Sequence, residues 1–255
     1  SGKTKICLRV AKTLYSSVFN KVWALSNIKS CEMTKLYENI YRSVNIGMAN
    51  EMKIICNGLN MDIYEIIKAA KTKPFGFSPF YPGPGVGGHC IPVDPYYLSW
   101  RANQFNLKTK FIKLAGQIND YRSKEVANNL IAILKKKIRV KDKILILGIS
   151  YKKNSDDIRN SPPLQICKYL KKKTKYQLIL CDPLVKAWVY NLFKKFQFEN
   201  VKNLKNKDFI KKFKAVIVMA DHDLFDYNFL YKNSKVLIDC TNVYSNNNYK
   251  KVIKI

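Results

Sequence analysis

Apolar side chains return on a fourfold spacing at Ile6, Val10, Leu14 and Val18, which predicts a helix over residues 3–19 with one stripe turned inward. A longer helical pattern follows from Cys31 to Cys56, carried by Met33, Leu36, Tyr37, Ile40, Tyr41, Val44, Met48, Met52 and Ile55 over about seven turns. Residues 62–70 read as a further short helix. Between Pro74 and Pro95 the periodicity stops, and six prolines and five glycines make this stretch one long shaped loop. A third long helix is predicted from about Phe111 to Lys137, with Leu114, Ile118, Val126, Leu130, Ile133 and Leu134 at core positions.

Past Val140 the pattern changes to short apolar runs alternating with helical stretches. Strands are predicted at 143–149, 177–181, 215–219 and 236–239, with helices near 162–173 and 187–196. The fold class is therefore α/β: a long-helix central region, expected to dimerise, followed by a doubly wound Rossmann-like domain. The divisions are 1–25, 26–139 and 140–255. No repeat occurs at a fixed period, and Asn246 to Asn248 reads as a surface turn.

At 255 residues, with 47% hydrophobic and 13% aromatic residues, the chain can bury a sizeable core and does not have a disordered composition. No apolar run approaches the ~20 residues of a membrane helix. The chain opens on Ser1-Gly2-Lys3-Thr4-Lys5 without Met or a secretory signal, and reads as a segment of a longer protein. Its formal charge is +28, from 46 basic and 18 acidic residues. Only 6 of the basic residues are Arg, the side chain that reads bases and clamps phosphates, so neither a nucleic-acid nor a membrane partner is expected. Seven cysteines (7, 31, 56, 90, 167, 181 and 240), with no CxxC pair and two His, do not form a zinc pattern; they suit a reducing cytoplasm.

Three segments can carry chemistry. The loop FGFSPFYPGPGVGGHCIPVDP at 75–95 contains Gly83, Gly85 and Gly88 at GxGxxG spacing. A dinucleotide fingerprint must follow a strand and open a helix, whereas prolines bracket these glycines, so that reading is rejected. The loop can instead bring backbone close to a ligand and present His89-Cys90. Cys90 is then either an exposed nucleophile, with Asp94 orienting a water or shuttling a proton, or a buried loop cysteine. On the long helix, Lys35, Asn39 and Arg42 share an arc of roughly 60° away from the stripe of Leu36, Ile40 and Val44. That set could hold a developing oxyanion or simply be solvated. After the first strand, residues 150–163 place Lys152 and Arg159 beside a helix that Ser161 and Pro162 would open. This is either an anion site or an ordinary polar βα loop.

Taken in order, EMTKLYENIYRSVNIGMANE at 32–51, GPGVGGHCIPVDPYYL at 83–98 and LGISYKKNSDDIRNSP at 147–162 resemble the signature blocks of the UDP-glucose/GDP-mannose dehydrogenases, the nucleotide-sugar 6-dehydrogenases. GGHCIPVDPYYL is most similar to the branch acting on UDP-N-acetylhexosamines, UDP-N-acetylglucosamine among them; the UDP-glucose branch usually has Lys at the place of Val93. The resemblance implies a NAD-dependent four-electron oxidation of a C6 alcohol to a uronate through a Cys90 thiohemiacetal and thioester, serving surface polysaccharide synthesis. By the same resemblance, Lys35 and Asn39 stabilise oxyanions, Asp94 is the acid/base, and Arg42, Tyr81, Gly83, Gly85, Gly87, Gly88, Tyr151 and Lys152 hold the sugar nucleotide. Arg159 reaches the cofactor, and the long helix forms a homodimer.

Two departures from the family matter. Residues 1–25 look like the tail of the family's NAD-binding domain, so the main cofactor site is expected to be missing and the chain alone to be a binding and dimerisation fragment. Thr241 stands where the family commonly has Arg, which puts a substrate contact in doubt.

Overall fold

The computed structural model describes residues 1–186, 191–245 and 249–255. Two earlier readings, the start of a helix at 187–190 and the turn at 246–248, lie outside those residues.

The helical part comprises α1 (Lys5–Ser16), α2 (Ile28–Gly58), α3 (Ile63–Ala70), α4 (Cys90–Asn103) and α5 (Lys110–Lys137). Side chains cap three of them: Thr4 accepts from the Cys7 N–H, Asn27 from Ser30 and Asp62 from Tyr64. The α1 stripe does not turn inward. Ile6, Val10, Leu14 and Val18 are all exposed, because no other element packs on that face.

α2 also corrects the expected orientation. Its buried face is a seam of small and polar residues, Asn39, Ser43, Gly47 and Asn50, with Ile40 at its margin, packed against α4 and α5. Gly47 faces Ala115 of α5, where a Cβ would make ordinary van der Waals contact at 3.4 Å from the Ala115 carbonyl oxygen. Asn119 closes the seam, donating to the Ser43 carbonyl at 2.8 Å and accepting from Asn50 at 3.2 Å. Met33, Tyr37, Tyr41, Met48, Met52 and Ile55 point outward instead. Residues 74–95 are not one loop to their end, because α4 begins at Cys90 and runs through Pro92 and Pro95. Pro92 sits in the first turn, where a missing N–H costs nothing. In α5, Val126, Leu130 and Leu134 are buried as expected, but Leu114 is exposed.

The α/β part is a six-stranded all-parallel sheet in the order β3-β2-β1-β4-β5-β6. The strands are β1 (Lys143–Leu147), β2 (Gln177–Cys181), β3 (Gln197–Phe198), β4 (Ala215–Val218), β5 (Leu237–Asp239) and β6 (Val252–Lys254). Between them lie α6 (Pro162–Lys173), α7 (Lys207–Lys211), α8 (Tyr227–Asn233) and two short 3-10 turns. The order reverses between β1 and β4, the switch point of a doubly wound fold.

β4, and β1 after its exposed first residue Lys143, are apolar without alternation because both faces are covered. On one face Ile144, Ile146 and Ile217 pack with Val126, Leu130 and Leu134 of α5 and with Ile166 and Leu170 of α6. On the other, Leu145, Leu147 and Val218 meet Phe213, Phe225, Leu230 and Tyr244. Each buried aliphatic side chain contributes roughly 1.5–3 kcal/mol before chain entropy is charged against it. α5 thus joins the two parts, its first half against α2 and its second against the sheet. No helix among the described residues is long and apolar enough to cross a membrane.

Candidate active site

Cys90 is exposed in the first turn of α4, where unpaired backbone N–H groups favour a negative charge. Asp94 lies one turn on, on the same face. Asn39 of α2 is buried and donates through Nδ2 to Asp94 Oδ2 at 2.7 Å. Its Oδ1 is also buried and has no hydrogen-bond partner among the described residues. His89 Nδ1 stands 3.9 Å from Asp94 Oδ1. The structure therefore brings together the amide of one predicted constellation and the carboxylate of another, 55 residues apart. Lys35 and Arg42 remain on exposed flanks, and Lys35 pairs with Glu38 of its own helix at 3.3 Å. Tyr81 is half exposed at the rim of the glycine loop.

The loop glycines approach protein as closely as they could approach a ligand. A Cβ on Gly87 would sit 2.4 Å from Tyr151 Cβ and 2.8 Å from Pro162 Cδ, and one on Gly85 2.5 Å from Ser123 Oγ. Gly88 takes φ +82 with the Tyr151 ring 3.0 Å from a notional Cβ, whereas Gly83 faces open space. Gly87→Ala is therefore expected to destabilise by about 1–3 kcal/mol through overpacking, and Gly83→Ala by less than about 0.5 kcal/mol. Denaturant unfolding of both variants checks the contrast.

Residues that the sequence reading passed over hold this loop. Asn50 Oδ1 accepts from the Gly83 N–H at 3.2 Å, Arg122 Nε donates to the Gly83 carbonyl at 2.9 Å, and Ser123 Oγ donates to the Pro84 carbonyl at 3.1 Å. A signal existed, since Asn39, Ser43, Gly47 and Asn50 recur at helical spacing as a small, polar stripe that could have been read as a buried face. The glycines do lead into a helix, α4, which corrects half of the ground for rejecting a dinucleotide fingerprint. The other half holds, as no strand precedes them.

The βα loop completes the site. Ser161 caps α6 by accepting from the Leu164 N–H at 3.3 Å, with Pro162 as the first helical residue. The Gly88 N–H donates to the Arg159 carbonyl at 2.8 Å and Asn160 Nδ2 to the Gly88 carbonyl at 2.9 Å, fixing this loop to the turn before Cys90. Arg159 spends its guanidinium on Asp157, at 2.6 Å for the shortest contact. That bond first, and the partner's opposite charge with it, holds Arg159 above its ordinary value and Asp157 below the carboxylate range. Lys152 is exposed beside Tyr151. Thr241 caps its own turn, donating to Asp239 Oδ1 through both N–H and hydroxyl at 2.8 and 2.9 Å.

Such a thiol, amide and carboxylate cluster can add to a carbonyl, hold the resulting oxyanion and move a proton. Residues 29–121 match the central domain of the UDP-glucose/GDP-mannose dehydrogenase family, and residues 145–246 match its UDP binding domain. UDP-N-acetyl-D-mannosamine dehydrogenase of Campylobacter jejuni is 34% identical over 206 residues, covering 80% of this chain and 47% of that protein. UDP-N-acetyl-D-glucosamine 6-dehydrogenase of Pseudomonas aeruginosa is 36% identical over 190 residues, covering 73% and 44%. The solved UDP-N-acetyl-mannosamine dehydrogenase Cap5O of Staphylococcus aureus superposes with a TM-score of 0.78 at 29% identity, over 98% of this chain and 57% of that one. The chain spans about half the length of the curated relatives it matches. With both family domains present in this order over most of its length, the chain belongs to the UDP-glucose/GDP-mannose dehydrogenase family.

Proposed function

We propose that this chain supplies the substrate-binding and thiol-bearing part of an enzyme that oxidises the C6 alcohol of a UDP-sugar to a carboxylate. The observation that carries this reading is the Asn39–Asp94 bond one helical turn from the exposed Cys90, with Tyr151 against the turn that leads to it. Cys90 adds to the C6 aldehyde and keeps it covalently bound between the two oxidations. Asn39 and Lys35 stabilise the tetrahedral oxyanions, Lys35 by exchanging its exposed Glu38 partner for substrate. Asp94 takes the proton from the attacking thiol or water. Tyr81, Arg42, Tyr151, Lys152 and the open side of Gly83 hold the sugar nucleotide.

NAD, when bound, accepts hydride. The described residues contain no strand, glycine turn and helix of the dinucleotide type, and Arg159, committed to Asp157, is their one candidate contact to it. The hydride steps are therefore not assigned to groups of this chain.

The relatives' names favour a UDP-N-acetylhexosamine as substrate, and a uronate product suits surface polysaccharide assembly in the cytoplasm. The outward stripe of Met33, Tyr37, Tyr41, Met48 and Ile55 favours a homodimer along α2. A second reading, UDP-sugar binding without turnover by this chain alone, is favoured by the commitment of Arg159, the one candidate contact to NAD among the described residues, to Asp157. Calorimetric titration with UDP-N-acetylmannosamine, UDP-N-acetylglucosamine and UDP-glucose, followed by addition of NAD, tests both. Binding of the N-acetyl sugars without NADH is expected. No heat with any UDP-sugar would contradict the substrate assignment, and NADH formation would contradict the second reading.

A further inference from the structure

A buried network lies behind the loop that presents Tyr151 and Lys152, and the chemistry at Cys90 makes no direct use of it. His222, just past β4, is 0% exposed. Its Nδ1 lies 3.1 Å from the backbone nitrogen of Asn154, which is a donor, so Nδ1 carries a lone pair. The ring is therefore neutral with its hydrogen on Nε2, the atom 3.2 Å from Asp182 Oδ2 and 3.2 Å from Ser150 Oγ. The Ser150 hydroxyl hydrogen goes to the Lys152 carbonyl at 2.8 Å, which leaves Oγ a lone pair for the ring N–H.

One imidazole thus pins both ends of the 150–154 loop and joins it to the residue that follows β2. Asn154, held at φ 52, closes the far end by donating to Asp223 Oδ2 at 2.6 Å and accepting from the Asp223 N–H at 3.0 Å. Between the two pins stands Tyr151, whose side chain fills the space that a Cβ on Gly87 or Gly88 would need. Cys90 follows two residues after Gly88.

We propose that His222 is a positioning residue: its neutral ring, protonated on Nε2, sets the 150–154 loop and, through Tyr151, the Gly87–Gly88 turn ahead of Cys90. What that loop binds rests on the UDP-sugar reading; how it is held does not. A purely space-filling role would make the two ring nitrogens interchangeable, whereas here each has one partner type that it alone can serve.

Nitrogen-15 spectra of the labelled 255-residue chain at neutral pH should show His222 with a lone-pair Nδ1 and a hydrogen-bearing Nε2, with exposed His89 as the contrast. A protonated Nδ1 would overturn the proposal without any variant. His222→Asn keeps an acceptor near the position of Nδ1, and His222→Gln keeps a donor near that of Nε2 but loses the acceptor. Exchange of the Asn154 amide should rise about tenfold in His222→Gln and less than about threefold in His222→Asn, with UDP affinity falling in the same order. Equal exchange in the two variants, or faster exchange at unchanged UDP affinity, would overturn it. Failure of the parent chain to bind UDP would instead reject the UDP-sugar reading, while the spectra and the exchange rates would still decide whether His222 sets the loop.

Discussion

Cys90→Ala in the full-length protein is expected to abolish uronate formation, a loss of at least about a thousandfold in turnover. Without the thiol the aldehyde has no covalent hold between the two oxidations, and the second hydride has no tetrahedral carbon to leave from by this route. Cys90→Ser should be nearly as poor, because a hydroxyl is far less acidic and less nucleophilic than a thiol and a carboxylate such as Asp94 is too weak a base to activate it. Two other quantities should stay nearly constant. Cys90 is exposed at the start of α4 and packs into no core, so the unfolding midpoint should move within the range of ordinary surface substitutions, about 0.5 kcal/mol. UDP-sugar affinity should change by less than about threefold, since the nucleotide contacts proposed above lie on the 150–154 loop and around Gly83. Turnover assays, calorimetry and denaturant unfolding on the same preparations separate these effects. Retained turnover in Cys90→Ala would show that the thiol is not the nucleophile.

Asp182→Asn is expected to cost about 3 kcal/mol of stability at neutral pH. The carboxylate is buried beyond β2 and accepts from the backbone N–H groups of Ile149, Leu184 and Val185 at 2.7, 2.9 and 2.9 Å and from the His222 ring. Burial pushes this carboxyl up, but the His222 bond and the three backbone donors more than offset it, and the net shift is below the ordinary range. An amide in its place turns an NH2 group toward one set of donors. The sign of the pH dependence follows. A carboxyl whose folded value lies below its unfolded value of about 3.9 contributes its stability above that pH and loses it as pH falls through the folded value. The gap between parent and Asp182→Asn should therefore be widest near neutrality and narrow below about pH 4. Urea unfolding from pH 7 down to pH 3 reads it, and a gap independent of pH would mean that the carboxylate charge is not what the backbone donors require.

The sheet was the most legible part of the fold. A fully buried parallel strand is apolar without alternation, and 177–181 and 162–173 were read with the bounds that β2 and α6 have. β3 and β6, of two and three residues at the two edges, carry too little pattern to be seen. Orientation was the harder question. The rule that apolar residues turn inward failed on α1, whose stripe meets no other element, and on α2, where the inward face is a polar seam and the apolar side chains face out. α4 was hidden because Pro92 and Pro95 count against a helix in sequence, although a first-turn proline is well tolerated in one.

The candidate site was legible as three separate segments, by residue type. Its assembly was not, because the Asn39–Asp94 bond and the seat of Tyr151 on Gly87–Gly88 join residues 55 and more than 60 positions apart. His222 and Asp182 carried no sequence signal, as a lone His and a lone Asp past two strands show their geometry only once the strands are adjacent.

The central claim is that a UDP-sugar sits over Cys90, and site-resolved alkylation tests it most directly. Cys7 and Cys90 are both exposed, whereas Cys56, Cys167, Cys181 and Cys240 are buried, so iodoacetamide should label the first two, with Cys7 on α1 serving as an internal control. Saturating UDP-N-acetylmannosamine should slow labelling of Cys90 by about tenfold or more and leave Cys7 unchanged. Equal labelling of Cys90 with and without every UDP-sugar tried would contradict the account.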